Sequence, residues 1–197
     1  MQRGYIFRAV PAALLLCGIG FAPAALAEAT AQMLANNCVA CHGPDGNSMG
    51  PASPSIAGET KDNFINKMES YQSEDGRYST IMGRIAKGFN AKEIELLAGY
   101  FSSIKRTNLQ QQVDEKMAAM GAKIHKKTCK KCHSSPEDDD IILNGQMRPY
   151  ILNTIYDFSQ LDPDNIDSKD VRKMVKKLQE LSMEDREAIA DYYASQK

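Results

Sequence analysis

Apolar residues along the chain recur three and four positions apart in several separate stretches. Phe64, Ile65, Met68 and Tyr71 keep that spacing, and so do Ile94, Leu97 and Phe101, so each set lies along one face of an amphipathic helix. Met117, Met120 and Ile124 predict a helix leading into Cys129, while Ile151, Ile155 and Phe158, then Ile189 and Tyr193, predict two more. No run alternates apolar and polar residues long enough to predict a strand. Segments rich in Gly, Pro, Ser or acidic residues at 43–55 and 134–140 read as loops, and Asn108-Leu-Gln-Gln-Gln112 reads as a linker. The expectation is an all-α chain with three or four short helices in each half and a boundary near residue 108.

The first 27 residues follow a different pattern. Arg3 and Arg8 stand in an opening without acids, residues 9–27 are apolar or small, and Ala25-Leu26-Ala27 precedes the charged chain that opens at Glu28. A basic start, a short apolar stretch and an A-x-A site describe a secretory signal peptide over residues 1–27. Pro11 and Pro23 and the small-residue finish speak against a membrane anchor. Leu16 is too bulky for the small-residue site that would make Cys17 a lipid-bearing cysteine. The mature chain is expected to be exported to the periplasm, soluble and without a membrane contact.

What remains is written twice. Cys38-Val-Ala-Cys41-His42 returns as Cys129-Lys-Lys-Cys132-His133, 91 positions on. FNAKEIELLAGYFSS at 89–103 matches LSMEDREAIADYYAS at 181–195 with an offset of 92, sharing Glu95/Glu187, Ala98/Ala190, Tyr100/Tyr192 and Ser103/Ser195. The same offset carries Met82 onto Met174. Self-similarity at this period predicts two copies of one domain, 28–108 and 109–197. Net charge is −1 over the whole chain, with a pI near 6.3, which excludes a basic nucleic-acid binder. Aromatic residues make up only 7% and Trp is absent, so a domain of this size has little to fill its middle.

C-x-x-C-H supplies the missing body, because it is the attachment signature of c-type haem. On a helical turn the two Cys lie at i and i+3, where both thiols reach the haem vinyl groups, and the His at i+4 shares that face and can ligate the iron. Cys38, Cys41, Cys129 and Cys132 are therefore the expected attachment residues and His42 and His133 the expected proximal ligands, giving two haem c. A zinc ribbon would set its C-x-x-C knuckles much closer together, a thioredoxin-like pair would need a βαβ unit, and structural disulfides would leave the repeated His without a use.

Methionine is the expected sixth ligand, since its thioether suits an electron-transfer potential, whereas an open site would suit gas or peroxide chemistry. Met49 and Met147 follow their histidines by only seven and fourteen residues, too few to carry the chain around to the far face of the ring. Met82 and Met174 follow by 40 and 41 and precede the last helix of each half by the same interval, so they are the expected pair, with Met183 and Met68 as fallbacks. His125, four residues before Cys129, reads as a packed histidine. Pro51 is expected to offer its carbonyl to His42 Nδ1–H, a contact that metal-bound histidines usually need. The lysines from Lys123 to Lys131 read as a solvated face, or else as a docking surface for a redox partner.

GNSMGPASPSIAG at 46–58, STIMGRIAKG at 79–88, GAKIHKKTCKKCH at 121–133 and YYASQK at 192–197 resemble the dihaem cytochrome subunits of flavocytochrome c sulfide dehydrogenases, within a broader cytochrome c4-like superfamily that shares the Gly145-Gln146 step. The resemblance covers the mature chain, although the segment between His133 and Gly145 is shorter than the family's and strongly acidic. It implies two tandem cytochrome c domains and no catalysis by the isolated chain. It further implies a partner flavoprotein that oxidises sulfide on a covalent FAD, and electrons passing singly through the two haems to a soluble cytochrome c. The N-terminal haem would face the flavin. The chain has no G-x-G-x-x-G fingerprint, so FAD is expected only in the partner. The other readings are a free-standing dihaem carrier serving a terminal oxidase and, more distantly, a haem enzyme or sensor lacking one Met ligand.

Overall fold

The computed structural model describes residues 29–73, 81–107, 109–134 and 142–196. The expected signal peptide, residue 108 at the expected boundary and residues 135–140 of the second loop lie outside that set.

Every described regular element is helical. The first half holds α1 (Ala31–Ala35), α2 (Val39–His42), α3 (Lys61–Gln72), α4 (Met82–Ile85) and α5 (Ala91–Ser103). The second holds α6 (Glu115–Ile124), α7 (Arg148–Ser159), α8 (Lys169–Gln179) and α9 (Met183–Ser195). The first half thus has one α-segment more than expected; Cys41 and His42 lie on the helical turn the motif predicts, and a 3₁₀ turn at Pro44–Gly46 opens the expected loop. None of the described helices is long and apolar enough to cross a membrane.

Local sequence explains where these helices start. Thr30, Thr60, Asp114 and Ser168 each accept a backbone N–H of the first turn that would otherwise lack a partner. Asn90 with Glu93 and Ser182 with Asp185 form reciprocal capping boxes at the heads of α5 and α9, the two helices paired by the offset of 92.

The halves share one plan. The entering helix crosses the final one, α1 on α5 and α6 on α9, and a middle helix, α3 or α7, packs on that final helix. The predicted faces of α3, α5 and α9 and most of that of α7 reach the cores, whereas Met117, Met120 and Ile124 of α6 and Phe158 of α7 are half-buried. Phe64 and Met68 meet Ile94, Leu97, Ala98 and Phe101 in the first core, and Ile151 and Ile155 meet Ile189, Ala190 and Tyr193 in the second. At the α6–α9 crossing Gly121 is required, since a Cβ there would stand 2.0 Å from the Ala188 carbonyl oxygen.

A second equivalence ties the loops to the cores. Gly58 and Gly145 both take left-handed φ, 73° and 66°, a conformation that favours glycine. The Gly58 N–H donates to the Phe101 carbonyl at 2.9 Å and the Gly145 N–H to the Tyr193 carbonyl at 2.8 Å. The residues that follow, Glu59 and Gln146, are both buried.

The halves are joined by hydrogen bonds. Gln146 accepts the Ser55 N–H at 2.8 Å and donates to the Ser55 carbonyl at 2.9 Å. Arg106 donates to the Asn144 carbonyl, and Gln111 of the connecting segment donates to the Gln146 carbonyl at 2.9 Å.

Candidate haem sites

In the first half Cys38 closes a 3₁₀ turn and Cys41 and His42 finish α2, so one compact turn carries all three. Gly43 ends it with φ of 75°, where a Cβ would collide with the Asn47 carbonyl. Both thiols are free. Cys38 is half-buried and Cys41 exposed, and burial, reinforced by the neighbouring thiol, pushes the Cys38 pKa up. His42 is 9% exposed. Its Nδ1 lies 2.8 Å from the Pro54 carbonyl oxygen, an atom that can only accept, so the ring proton sits on Nδ1 and Nε2 keeps its lone pair. Burial lowers the His42 pKa, opposed by this bond, and favours the neutral ring that a metal ligand requires.

The acceptor is Pro54 and not the expected Pro51, which is exposed. The loop folds back on itself, with the Ser48 hydroxyl donating to the Ser53 carbonyl at 2.7 Å and the Ser48 N–H donating to the Ser55 hydroxyl at 3.0 Å. That fold turns the Pro54 carbonyl inward.

In the second half Cys129 ends a π-turn, His125–Cys129, and its carbonyl accepts the N–H groups of both Cys132 and His133 at 3.0 Å. The thiols repeat the first pattern. Cys129 is half-buried with its pKa raised by burial and by Cys132, and Cys132 is exposed. His133 is half-buried. His125 packs as expected of a non-ligand, its Nδ1 3.0 Å from the Tyr193 hydroxyl and its ring against Tyr192 and Tyr193.

The candidate methionines differ in setting. Met82 opens α4 and, like Cys38, borders the first core. Met174 is half-buried on α8 beside the fully buried Val175, whereas it is Cys129 that borders the second core. Met68 is a buried member of the first core, and Met183 is exposed at the start of α9. Gln146, whose side chain enters the first half, escaped the sequence reading except as part of a family step.

The donor sets fit covalent haem. Each offers two free thiols on one turn followed by a histidine, and His42 in addition has its second nitrogen fixed as a donor, leaving one nitrogen for iron.

Residues 27–105 match the cytochrome c family. The cytochrome subunit of sulfide dehydrogenase from Chlorobaculum tepidum is 38% identical over 104 residues, which is 48% of this chain and 93% of that protein. Cytochrome c4 from Pseudomonas aeruginosa is 29% identical over 195 residues, covering 91% of this chain and 94% of that one. The solved structure of reduced recombinant cytochrome c4 from Pseudomonas stutzeri is alike in fold, with a TM-score of 0.72 at 24% identity over 85% of this chain and 97% of that chain. Identity of this level across nearly the whole Chlorobaculum protein places the chain in the cytochrome c family, and its fold is that of the cytochrome c4 structure.

Proposed function

We propose that the chain is the electron-accepting subunit of a sulfide-oxidising complex, taking electrons from the FAD of a partner flavoprotein and passing them to a soluble cytochrome c. The observation that carries this reading is the 38% identity to a sulfide dehydrogenase cytochrome subunit over 93% of that subunit's length. Bound haem c supplies a one-electron iron couple, and oxidation of one sulfide to elemental sulfur releases two electrons, one for each of the two haems.

The protein's own part is attachment, ligation and tuning. Cys38 and Cys41, and Cys129 and Cys132, hold the two groups through their sulfurs. His42 with Met82, and His133 with Met174, would ligate the two irons, within domains spanning 28–108 and 109–197. The Pro54 carbonyl orients His42 and raises its basicity. The first 27 residues direct export to the periplasm and are removed.

The alternative is a free-standing carrier to a terminal oxidase. It is favoured by the P. aeruginosa cytochrome c4, which matches across both halves instead of one half's length.

Native purification from the source periplasm, following haem absorbance with a flavin assay on each fraction, separates the two. A stoichiometric flavoprotein that co-elutes and reduces both haems when sulfide is added supports the complex. Elution alone, with no flavin fraction rebinding, supports the carrier. Met82→Ala and Met174→Ala should each diminish the weak red absorption band of methionine-ligated oxidised haem, and a variant that leaves the band intact removes that methionine from the ligand set.

A further inference from the structure

His42 is linked to the other half of the molecule by one peptide unit. The carbonyl that takes its Nδ1 proton belongs to Pro54, and the N–H on the far side of the same peptide plane belongs to Ser55. That N–H is bound at 2.8 Å by Gln146 Oε1, from the second half. The peptide is trans, so its two dipolar ends point in opposite directions and the three groups run in series: imidazole N–H, peptide, amide oxygen. Gln146 Nε2 donates to the Ser55 carbonyl at 2.9 Å, which fixes the amide's orientation, and the side chain is 2% exposed.

The glutamine is held firmly. Its backbone carbonyl accepts from Gln111 Nε2 at 2.9 Å, Gln111 Oε1 accepts the Arg148 N–H at 2.7 Å, and the Arg148 guanidinium grips the buried Asp191 of α9 with two bonds of 2.8 and 2.9 Å. Gly145 is tied to α9 as well, through the Tyr193 carbonyl. An amide anchored to the core of one half therefore acts on a peptide of the other.

We infer that Gln146 is a positioning residue for the iron site of the opposite domain: by polarising the Pro54–Ser55 peptide it strengthens the hydrogen bond to His42 and lowers the reduction potential of the first haem. The inference rests on the reading of His42 as a haem ligand. Hydrogen bonds in series reinforce one another, by something like 10–30% per bond. A stronger pull on Nδ1–H makes the imidazole a better electron donor, which favours oxidised iron. Removing the amide has the opposite effect. The sign is diagnostic, because simple loosening of the interface would admit water and so stabilise the more highly charged oxidised site.

The test is a redox titration of the full-length holoprotein, with the His42 wave identified by its displacement in Met82→His. Gln146→Met keeps the length and removes both polar atoms. It should raise the reduced-to-oxidised ratio of the His42 haem about threefold at a fixed poise, equivalent to about 28 mV at ~59 mV per tenfold for one electron, and leave the His133 wave nearly still. Gln146→Glu retains an acceptor for the Ser55 N–H and should place the His42 potential at or below that of the native protein. Arg106→Met removes a different bond across the same interface and should produce no upward shift. An unmoved or lowered His42 wave in Gln146→Met overturns the inference, as does an equal rise in both waves or the same rise in Arg106→Met. A purified chain whose Cys38–Cys41 peptide carries no haem by mass would instead overturn the haem reading on which the inference stands.

Discussion

The two halves share a plan and differ in what holds them together. In the first, nine buried apolar residues among those described form the core, and Phe64 and Phe101 stack with ring centres 5.6 Å apart. In the second, five buried residues among those described form the core, and polar contacts take up the remaining work: the Tyr193 hydroxyl meets His125, and Arg148 pairs with a buried Asp191 that also accepts the Asp114 N–H at 3.3 Å. Duplicated sequence therefore preserved the helix crossings while the means of fixing them diverged. One half relies on apolar volume and the other on a few directional bonds.

The largest expected effect tests the apolar side. Phe101 is 1% exposed, and its ring also lies against Gly46, where a Cβ would come within 2.8 Å of it. Phe101→Ala should cost about 4 kcal/mol, seen as early unfolding of the first half in a thermal melt, because the cavity cannot close around a lost ring. Next comes Asp191→Ala, at about 2 kcal/mol, since it removes two bonds to Arg148, whose side chain is 30% exposed and regains water, and leaves the Asp114 N–H without its acceptor. The Arg148 pKa is raised, first by its hydrogen bond to Asp191. A raised folded-state pKa gives stability that is complete below the unfolded value and lost only as pH climbs through the folded one. For a guanidinium that window lies beyond the working range, so the pair should show no loss of stability from Arg148 up to mildly alkaline pH. If Asp191→Ala proved harmless while Phe101→Ala did not, the second half would have to rest on its apolar core after all. A smaller effect is expected at Gly58, where an added Cβ meets nothing nearer than 3.5 Å. Gly58→Ala should cost about 1–2 kcal/mol from left-handed backbone alone, whereas Gly145→Ala should cost more, by disturbing Gln146 as well.

Much of this fold was legible because helical spacing is a local signal. The face of Ile94, Leu97 and Phe101 is buried as its period requires, as are Ile151 and Ile155. The internal repeat was legible too, since two motifs and a methionine agree on one duplication, at offsets of 91 and 92. Loop geometry was not. Whether Pro51 or Pro54 faces His42 depends on Ser48 bonding to Ser53 and Ser55, contacts set by how the chain folds back and not by any periodicity. Gln146 was visible as a letter, yet its reach to Ser55 depends on the docking of two domains, which no single stretch of sequence encodes.

The finest test of the comparison exchanges the residues after the two left-handed glycines. Glu59 and Gln146 occupy equivalent places, but Glu59 turns to its own half. Its carboxylate takes Lys67 at 3.1 Å and Asn63, and its charge helps hold the buried Arg106 guanidinium ionised against the desolvation that dominates there. Glu59→Gln makes the first half resemble the second. An amide oxygen still serves Asn63, and Lys67, with 28% of its side chain exposed, regains water. Loss of that half-exposed pair is worth no more than about 1 kcal/mol, and the added penalty should fall on Arg106. The expected sum is near ~1 kcal/mol in denaturant unfolding, and it should shrink when Arg106 has already been replaced by Met. An undiminished cost in that double variant would assign the charge of Glu59 to Lys67 alone, and the asymmetry between the halves would then owe nothing to the arginine that bridges them.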